Sequence, residues 1–191
     1  KATFPKFTMK KGDQVYINLF KDIEFFGGFN LQGSRVIGTP ADDGFSRIEI
    51  KHNNKPFITF RSTEFVIRPD RFVSARAATV IYFENDSVFH PGLQVRYSLA
   101  NNELIMSRGE EGISQSPFFN TYHRLDMYSG AVYWKLNEDV MSFEDTKGLR
   151  SSSEALFESS DYFSGFRFDK LQGIDDINPA MLVSGYTRKL N

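Results

Sequence analysis

Leu93, Val95, Tyr97 and Leu99 alternate with Gln94, Arg96 and Ser98. Successive side chains of a strand point to opposite faces, so this run has one apolar and one polar face. That is the pattern of an antiparallel strand with one side on a core. Ala100, Asn101 and Asn102 follow, and asparagine tolerates the positive φ of a tight hairpin turn. Glu103 to Arg108 then returns, with Leu104 and Met106 able to rejoin the apolar face. Upstream, Val80-Ile81-Tyr82-Phe83 is apolar on both faces and predicts a more central strand. His90-Pro91-Gly92 interrupts the pattern, because proline lacks an amide donor and glycine relaxes the backbone. Residues 84–92 are therefore read as a connection between that strand and the 93–108 hairpin.

The same strand–turn–strand device occurs at 48–60, around His52-Asn53-Asn54-Lys55, and at 132–143, around Leu136-Asn137-Glu138-Asp139. The uneven spacing of the three units is weak internal repetition without the fixed period of a solenoid. Val15, Ile17 and Leu19 alternate as a first strand, residues 64–68 add another, and 71–74 lead into the 77–83 run. Residues 25–38 read as one strand with glycine bulges, and 125–135 as another unbroken strand. The basic stretch 1–13 reads as turn. Ten to twelve strands are expected over 14–145.

The 191 residues suffice for one domain or slightly more, and 20 Phe with eight Tyr favour strands. The net charge of −1 lacks the basic excess that nucleic-acid binding uses, so no nucleic-acid partner is expected. The absence of cysteine excludes disulfides, thiolate catalysis and Cys-ligated metal in this chain. No apolar run approaches 18 residues, so no spanning helix is expected.

Near residue 145 the character changes. Ser151-Ser152-Ser153-Glu154 resembles a capping box before Ala155-Leu156-Phe157. Asn178-Pro179 has the form of a helix start. Met181/Leu182, Gly185/Tyr186 and Lys189/Leu190 then recur at helical spacing. With no stop signal before Asn191, the chain is expected to be a piece of a longer protein. The expected organisation is an antiparallel β domain over 1–147 and a helical tail over 148–191. A β-sandwich or jelly roll is the first expectation, and a short β-solenoid the second.

Gly27-Gly28-Phe29-Asn30-Leu31-Gln32-Gly33, the run Ala78 to Phe83 leading into Asp86 to Leu93, Ser116 to His123, and Leu171-Gln172-Gly173-Ile174-Asp175 together resemble an internal segment of very large exported proteins of Bacteroidetes. That resemblance implies an extracytoplasmic setting, periplasm or cell surface, and a following helical region. It carries no activity and no catalytic residues. The strand–turn–strand units also resemble, by pattern alone, those of lipopolysaccharide-transport β-jelly-roll proteins.

Candidate chemistry is sparse. Glu84 and Asp86 near His90 could do acid–base work, yet acidic residues at a strand end more often cap turns. His52, His90 and His123 show no HxH or HxxxH spacing, and His123 with Asp126 would face opposite sides of a strand, so no metal site is expected. Trp134 shares parity with Val132 and Leu136 and is assigned to the core. Tyr133 falls on the other face, and with Tyr122 and Tyr128 it forms the candidate glycan-stacking set. The glycines at 27, 28 and 33 lack the frame of a phosphate loop. Asp42-Asp43 and Asp175-Asp176 lack an EF-hand ligand series. No cofactor is expected. The functional expectation is a non-catalytic structural or interaction module of a larger exported protein, binding protein or glycan. The alternative is a carbohydrate-active, glycoside hydrolase-like domain.

Overall fold

A computed structural model describes residues 6–10, 12–40, 44–109, 112–144 and 156–160. The strands are β1 (Lys6–Thr8), β2 (Val15–Phe20), β3 (Ile23–Gln32), β4 (Arg35–Thr39), β5 (Ser46–His52), β6 (Lys55–Ser62), β7 (Phe65–Arg68) and β8 (Arg71–Phe83). They continue with β9 (Asp86–Ser98), β10 (Glu103–Arg108), β11 (Phe118–Asn120), β12 (Leu125–Tyr128), β13 (Ala131–Lys135), β14 (Met141–Glu144) and β15 (Leu156–Ser159). A 3-10 turn at Gly112–Gln115 precedes β11. All fifteen belong to one antiparallel sheet. The expected antiparallel β class is thus observed, and the consecutive antiparallel pairings differ from the parallel stacking of a solenoid.

The register reveals how one sheet makes two layers. β4 and β5 lie one after the other along the same edge of β3, pairing with 28–32 and 23–26. β7 and β6 share one edge of β8 in the same way, and β10 and β11 share one edge of β9. β13 and β12 continue the pattern against β10 and β11, as do β14 and β15 beyond them. Each pair is one long strand broken in the middle, and the breaks line up. Of the three strands that run unbroken through both layers, β8 and β9 bulge at the same level, β8 at Ala75 and Arg76 and β9 at Pro91 and Gly92. A crease therefore crosses the meander, and the sheet folds along it into a sandwich. One layer holds β2, β5, β6, β11, β12, β15 and the adjoining ends of β3, β8 and β9. The other holds β1, β4, β7, β10, β13, β14 and the opposite ends.

Apolar side chains of both layers meet inside. Phe25 meets Phe65 (ring centroids 6.5 Å), Phe60 meets Phe72 (6.0 Å), and Phe20 meets Tyr97 (5.4 Å). Farther along, Phe118 of β11 meets Phe143 of β14 at 6.2 Å. Ile48, Ile58, Leu104 and Met106 fill the space between and are buried. Such burial of apolar surface is the main force closing the fold.

A crease breaks ladder hydrogen bonds, and buried backbone groups left unpaired are costly. Small hydroxyl residues stand where the ladder stops. Ser46 Oγ donates to the Ser62 carbonyl (3.0 Å), and Ser74 Oγ donates to Ser62 Oγ (2.9 Å). Ser62 Oγ accepts the Glu64 N–H (3.2 Å) and donates to the Arg76 carbonyl (2.8 Å). The Ser129 hydroxyl lies 3.0 Å from the carbonyls of Ala131 and Glu144.

Glycine is required where rings cover the backbone. A Cβ on Gly38 would stand 2.6 and 2.9 Å from ring atoms of fully buried Phe25. Gly38→Ala is expected to cost about 1–3 kcal/mol, because Phe25 is hemmed in and cannot retreat. Urea unfolding should show a lower midpoint at unchanged slope, and an unchanged midpoint would contradict this packing.

Several local expectations are corrected. Residues 25–38 are two strands, since the chain reverses at Gly33 (φ +61°) and Ser34; the apolar pattern runs through the turn and hides it. The 125–135 run breaks at Ser129 and Gly130, at the crease. His90, Pro91 and Gly92 lie inside β9, where the bulge leaves Pro91 without a ladder partner to supply. Only Glu84 and Asn85 form the turn between β8 and β9, with Glu84 at φ +51°. Leu99, assigned to the apolar face, is 45% exposed because β9 ends at Ser98. Within 14–145 the strand count exceeds ten to twelve because creased strands divide in two. Lys6–Thr8 is strand where turn was expected, paired to β3. Leu156 and Phe157, expected to follow a helix cap, belong to β15 and pair with β12. The 178–190 helix lies outside the described residues.

Candidate functional site

His90 is held by both of its ring nitrogens. Its ring is 1% exposed and lies 4.9 Å from the ring of Phe118. Nδ1 accepts the Gly92 N–H at 3.0 Å, so the proton sits on Nε2, which donates to the Ser116 carbonyl at 2.9 Å. Burial is the main cause holding its pKa down at about 4; the bond to Ser116 acts the other way, and the nearby Arg108 charge lowers it further. Nδ1 thus fastens the bulge within β9, and Nε2 ties β9 to the segment before β11. Glu84 is exposed in the hairpin turn, and Asp86 Oδ1 accepts from Thr121 Oγ1 at 3.0 Å.

The other histidines are apart. His52 is exposed in the β5–β6 turn, with its ring 6.1 Å from Phe57. His123 packs edge-on to Tyr122 at 4.7 Å, while Asp126 Oδ1 takes the Ser160 hydroxyl at 2.8 Å. Among the described residues no three His, Asp or Glu side chains converge as a metal site would need. Asp42 and Asp43, and likewise Asp175 and Asp176, lie outside the described residues.

The three candidate tyrosines occupy different places. Tyr122 is 63% exposed in the turn between β11 and β12, 6.5 Å from the ring of Phe83. Tyr128 ends β12, half-buried beneath the Arg108 guanidinium at 5.7 Å. Tyr133 is half-buried on β13, flanked by Ile105 and Ser142 in the ladder. Trp134 is buried, as its parity with Val132 required.

A feature no sequence motif announced lies at the open side, opposite the crease. There the hairpin turns of the two layers face each other across a cleft of about 670 Å³. One rim carries Lys21, Asp22, Lys51 and His52, and the other Asn102, Asn137, Glu138 and Asp139. Between them the wall is apolar: Ile23, Ile50, Phe57, Phe83, Tyr97, Trp134 and Met141. Phe57 is the hub, perpendicular to both Trp134 (5.3 Å, 69°) and Phe83 (6.0 Å, 88°).

Hydrogen bonds hold each rim. Asp22, in a left-handed conformation at φ +60°, offers its carbonyl to the Lys51 N–H at 2.8 Å. On the facing rim the Leu136 N–H reaches the Asn102 carbonyl at 2.9 Å. Trp134 Nε1–H donates to the Glu138 carbonyl at 2.8 Å, and the Tyr97 hydroxyl donates to Asn102 Oδ1 at 3.0 Å. Burial raises the Tyr97 pKa, so that hydroxyl stays protonated. The cleft is thus a preformed apolar recess with a polar mouth, the usual form of a small-ligand or side-chain pocket. Among the described residues no helix is long and apolar enough to cross a membrane. Comparison of the chain with protein-family models, curated proteins and solved structures finds no match.

Proposed function

We propose that this chain is a non-catalytic binding module of a larger exported bacterial protein, which holds an apolar group of its partner in the cleft between the two rims. The observation that carries the reading is the aromatic-lined recess of about 670 Å³, in which half-buried Phe57, Phe83 and Met141 line the opening above buried Ile23, Ile50, Tyr97 and Trp134. Exposed apolar recesses with polar margins are characteristic of binding surfaces. The extracytoplasmic setting rests on the resemblance of the segments quoted above. The non-catalytic reading is supported by the structural use of His90 and Asp86, both engaged in tying strands together. A glycoside hydrolase would need two carboxylates about 5–10 Å apart around the scissile bond. Here Asp22, Glu138 and Asp139 are exposed at the mouth, while the buried wall is hydrocarbon.

Trp134 is the single tryptophan of the chain and lines the cleft, so its emission reports occupancy directly. Titration with 1-hexanol or an N-acetyl-phenylalanine amide is expected to shift and saturate that emission. Leu136→Arg, which places a long charged side chain on the rim, should weaken the response about tenfold or more; circular dichroism checks that the sheet persists. An emission unaffected by every apolar probe would sink the proposal.

Glycan binding is kept as a second reading because Tyr122 is exposed beside Phe83 at the edge of this cleft. A glycan array with Tyr122→Ala and Tyr133→Ala controls tests it, and uniform lack of binding would remove it.

A further inference from the structure

The electrostatics of the cleft define which apolar groups it favours, an inference that rests on the binding reading above. The hydrogen-bond donors of the two polar rings in its wall, Trp134 and Tyr97, are already used. The indole N–H is bound to the Glu138 carbonyl and the Tyr97 hydroxyl to Asn102. An anionic head group would therefore meet no free donor on the aromatic wall. A cation meets the opposite situation, since the faces of Trp, Tyr and Phe rings carry negative potential.

The charges at the mouth act in the same direction. Lys51 is neutralised by Glu24 at 2.6 Å, and Glu138 by Lys135 at 3.2 Å. Among the described residues this leaves Lys21, Asp22 and Asp139 at the mouth without an ion-pair partner. Two carboxylates against one amine leave an acidic excess around an aromatic recess.

We infer that the cleft selects an apolar group bearing an alkylammonium, with hydrocarbon against Phe57, Phe83 and Trp134 and the cationic head between Asp22 and Asp139. The negative potential of the nearby ring faces adds to the attraction of the two carboxylates for the cationic head.

Three probes of equal chain length separate the possibilities: hexyltrimethylammonium, 1-hexanol and hexyl sulfate, each titrated against Trp134 emission in low salt. The ammonium is expected to bind about tenfold more tightly than the sulfate, and Asp22→Asn with Asp139→Asn should bring the two within about twofold. Asparagine tolerates the left-handed backbone at position 22, so the double variant keeps the turn. Hexanol binding should not change in that variant. Equal or tighter binding of the sulfate, or an undiminished ammonium preference in the double variant, would overturn the inference while leaving the cleft as a binding site. Failure of all three probes to move Trp134 emission would overturn both.

Discussion

Phe72→Ala is expected to lower the stability of the sandwich by about 3–5 kcal/mol, the range for deleting a buried aromatic ring. Phe72 is fully buried and touches rings from both layers: Phe60 at 6.0 Å from the facing layer, and Phe65 at 6.4 Å and Tyr97 at 5.4 Å from its own. Removing it opens a cavity at the junction of the layers, and the crease leaves the surrounding strands little freedom to collapse into it. Urea denaturation should show the midpoint falling at unchanged slope. Val73→Ala is the comparison, since Val73 is half-buried on the opposite face of the same strand. A Phe72→Ala cost no larger than that of Val73→Ala would mean the layers are not held together here.

Acidification is expected to destabilise the fold through His90. Its ring is held at about 4 in the folded protein against an ordinary value near 6.5. Between these values the unfolded chain carries one more proton at this site than the folded one. The stabilisation is therefore complete above about pH 6.5 and is lost as the pH falls towards 4, amounting to roughly 3 kcal/mol over that window. Stability measured by urea titration from pH 7 to 4.5 should decline steadily. His90→Asn keeps an acceptor for the Gly92 N–H and removes the titrating group. It should be less stable at pH 7 yet nearly flat from pH 6.5 to 4.5. An equally steep decline in that variant would assign the acid response to other groups.

These two residues show what was readable in advance. Residues 71–74 read only as a lead into the 77–83 run, because Ser74 and Arg76 at the same parity hide the inward face of Phe72. His90 reads as a loop residue because proline and glycine follow it. Pro91 and Gly92 indeed interrupt the ladder, but as a bulge within β9 and not as its end. Period-two patterning reports which face a side chain occupies; it does not report where a strand bends, because alternation resumes on both sides of the bend. For the same reason residues 25–38 look like one strand, although Gly33 reverses the chain. The Asn53, Asn54 and Asn102 turns were legible because their conformation, with φ of +51°, +61° and +48°, is one asparagine adopts readily.

The candidate site was barely legible. Sequence parity placed Trp134 inside, which is where it is, yet nothing in the chain order linked it to Phe57. The cleft draws on Lys21, His52 and Phe83 from one rim and on Tyr97, Leu136 and Met141 from the other. None of these forms a motif, since an apolar recess needs only hydrophobic side chains that happen to meet. Tyr122, selected for its aromatic neighbourhood, stands beside that cleft, whereas Tyr128 and Tyr133 lie elsewhere.

By itself the sequence determined an antiparallel β protein, the apolar face of most strands and the asparagine turns between them. These follow from local rules, alternation and allowed φ, acting over a few residues. The tertiary structure alone decided that the meander folds along one crease, that serines and His90 satisfy the broken ladder there, and that the opposite rims enclose an aromatic recess. Those features depend on register between strands far apart in the chain, where packing and hydrogen-bond satisfaction across the whole sheet, and no local preference, select the arrangement.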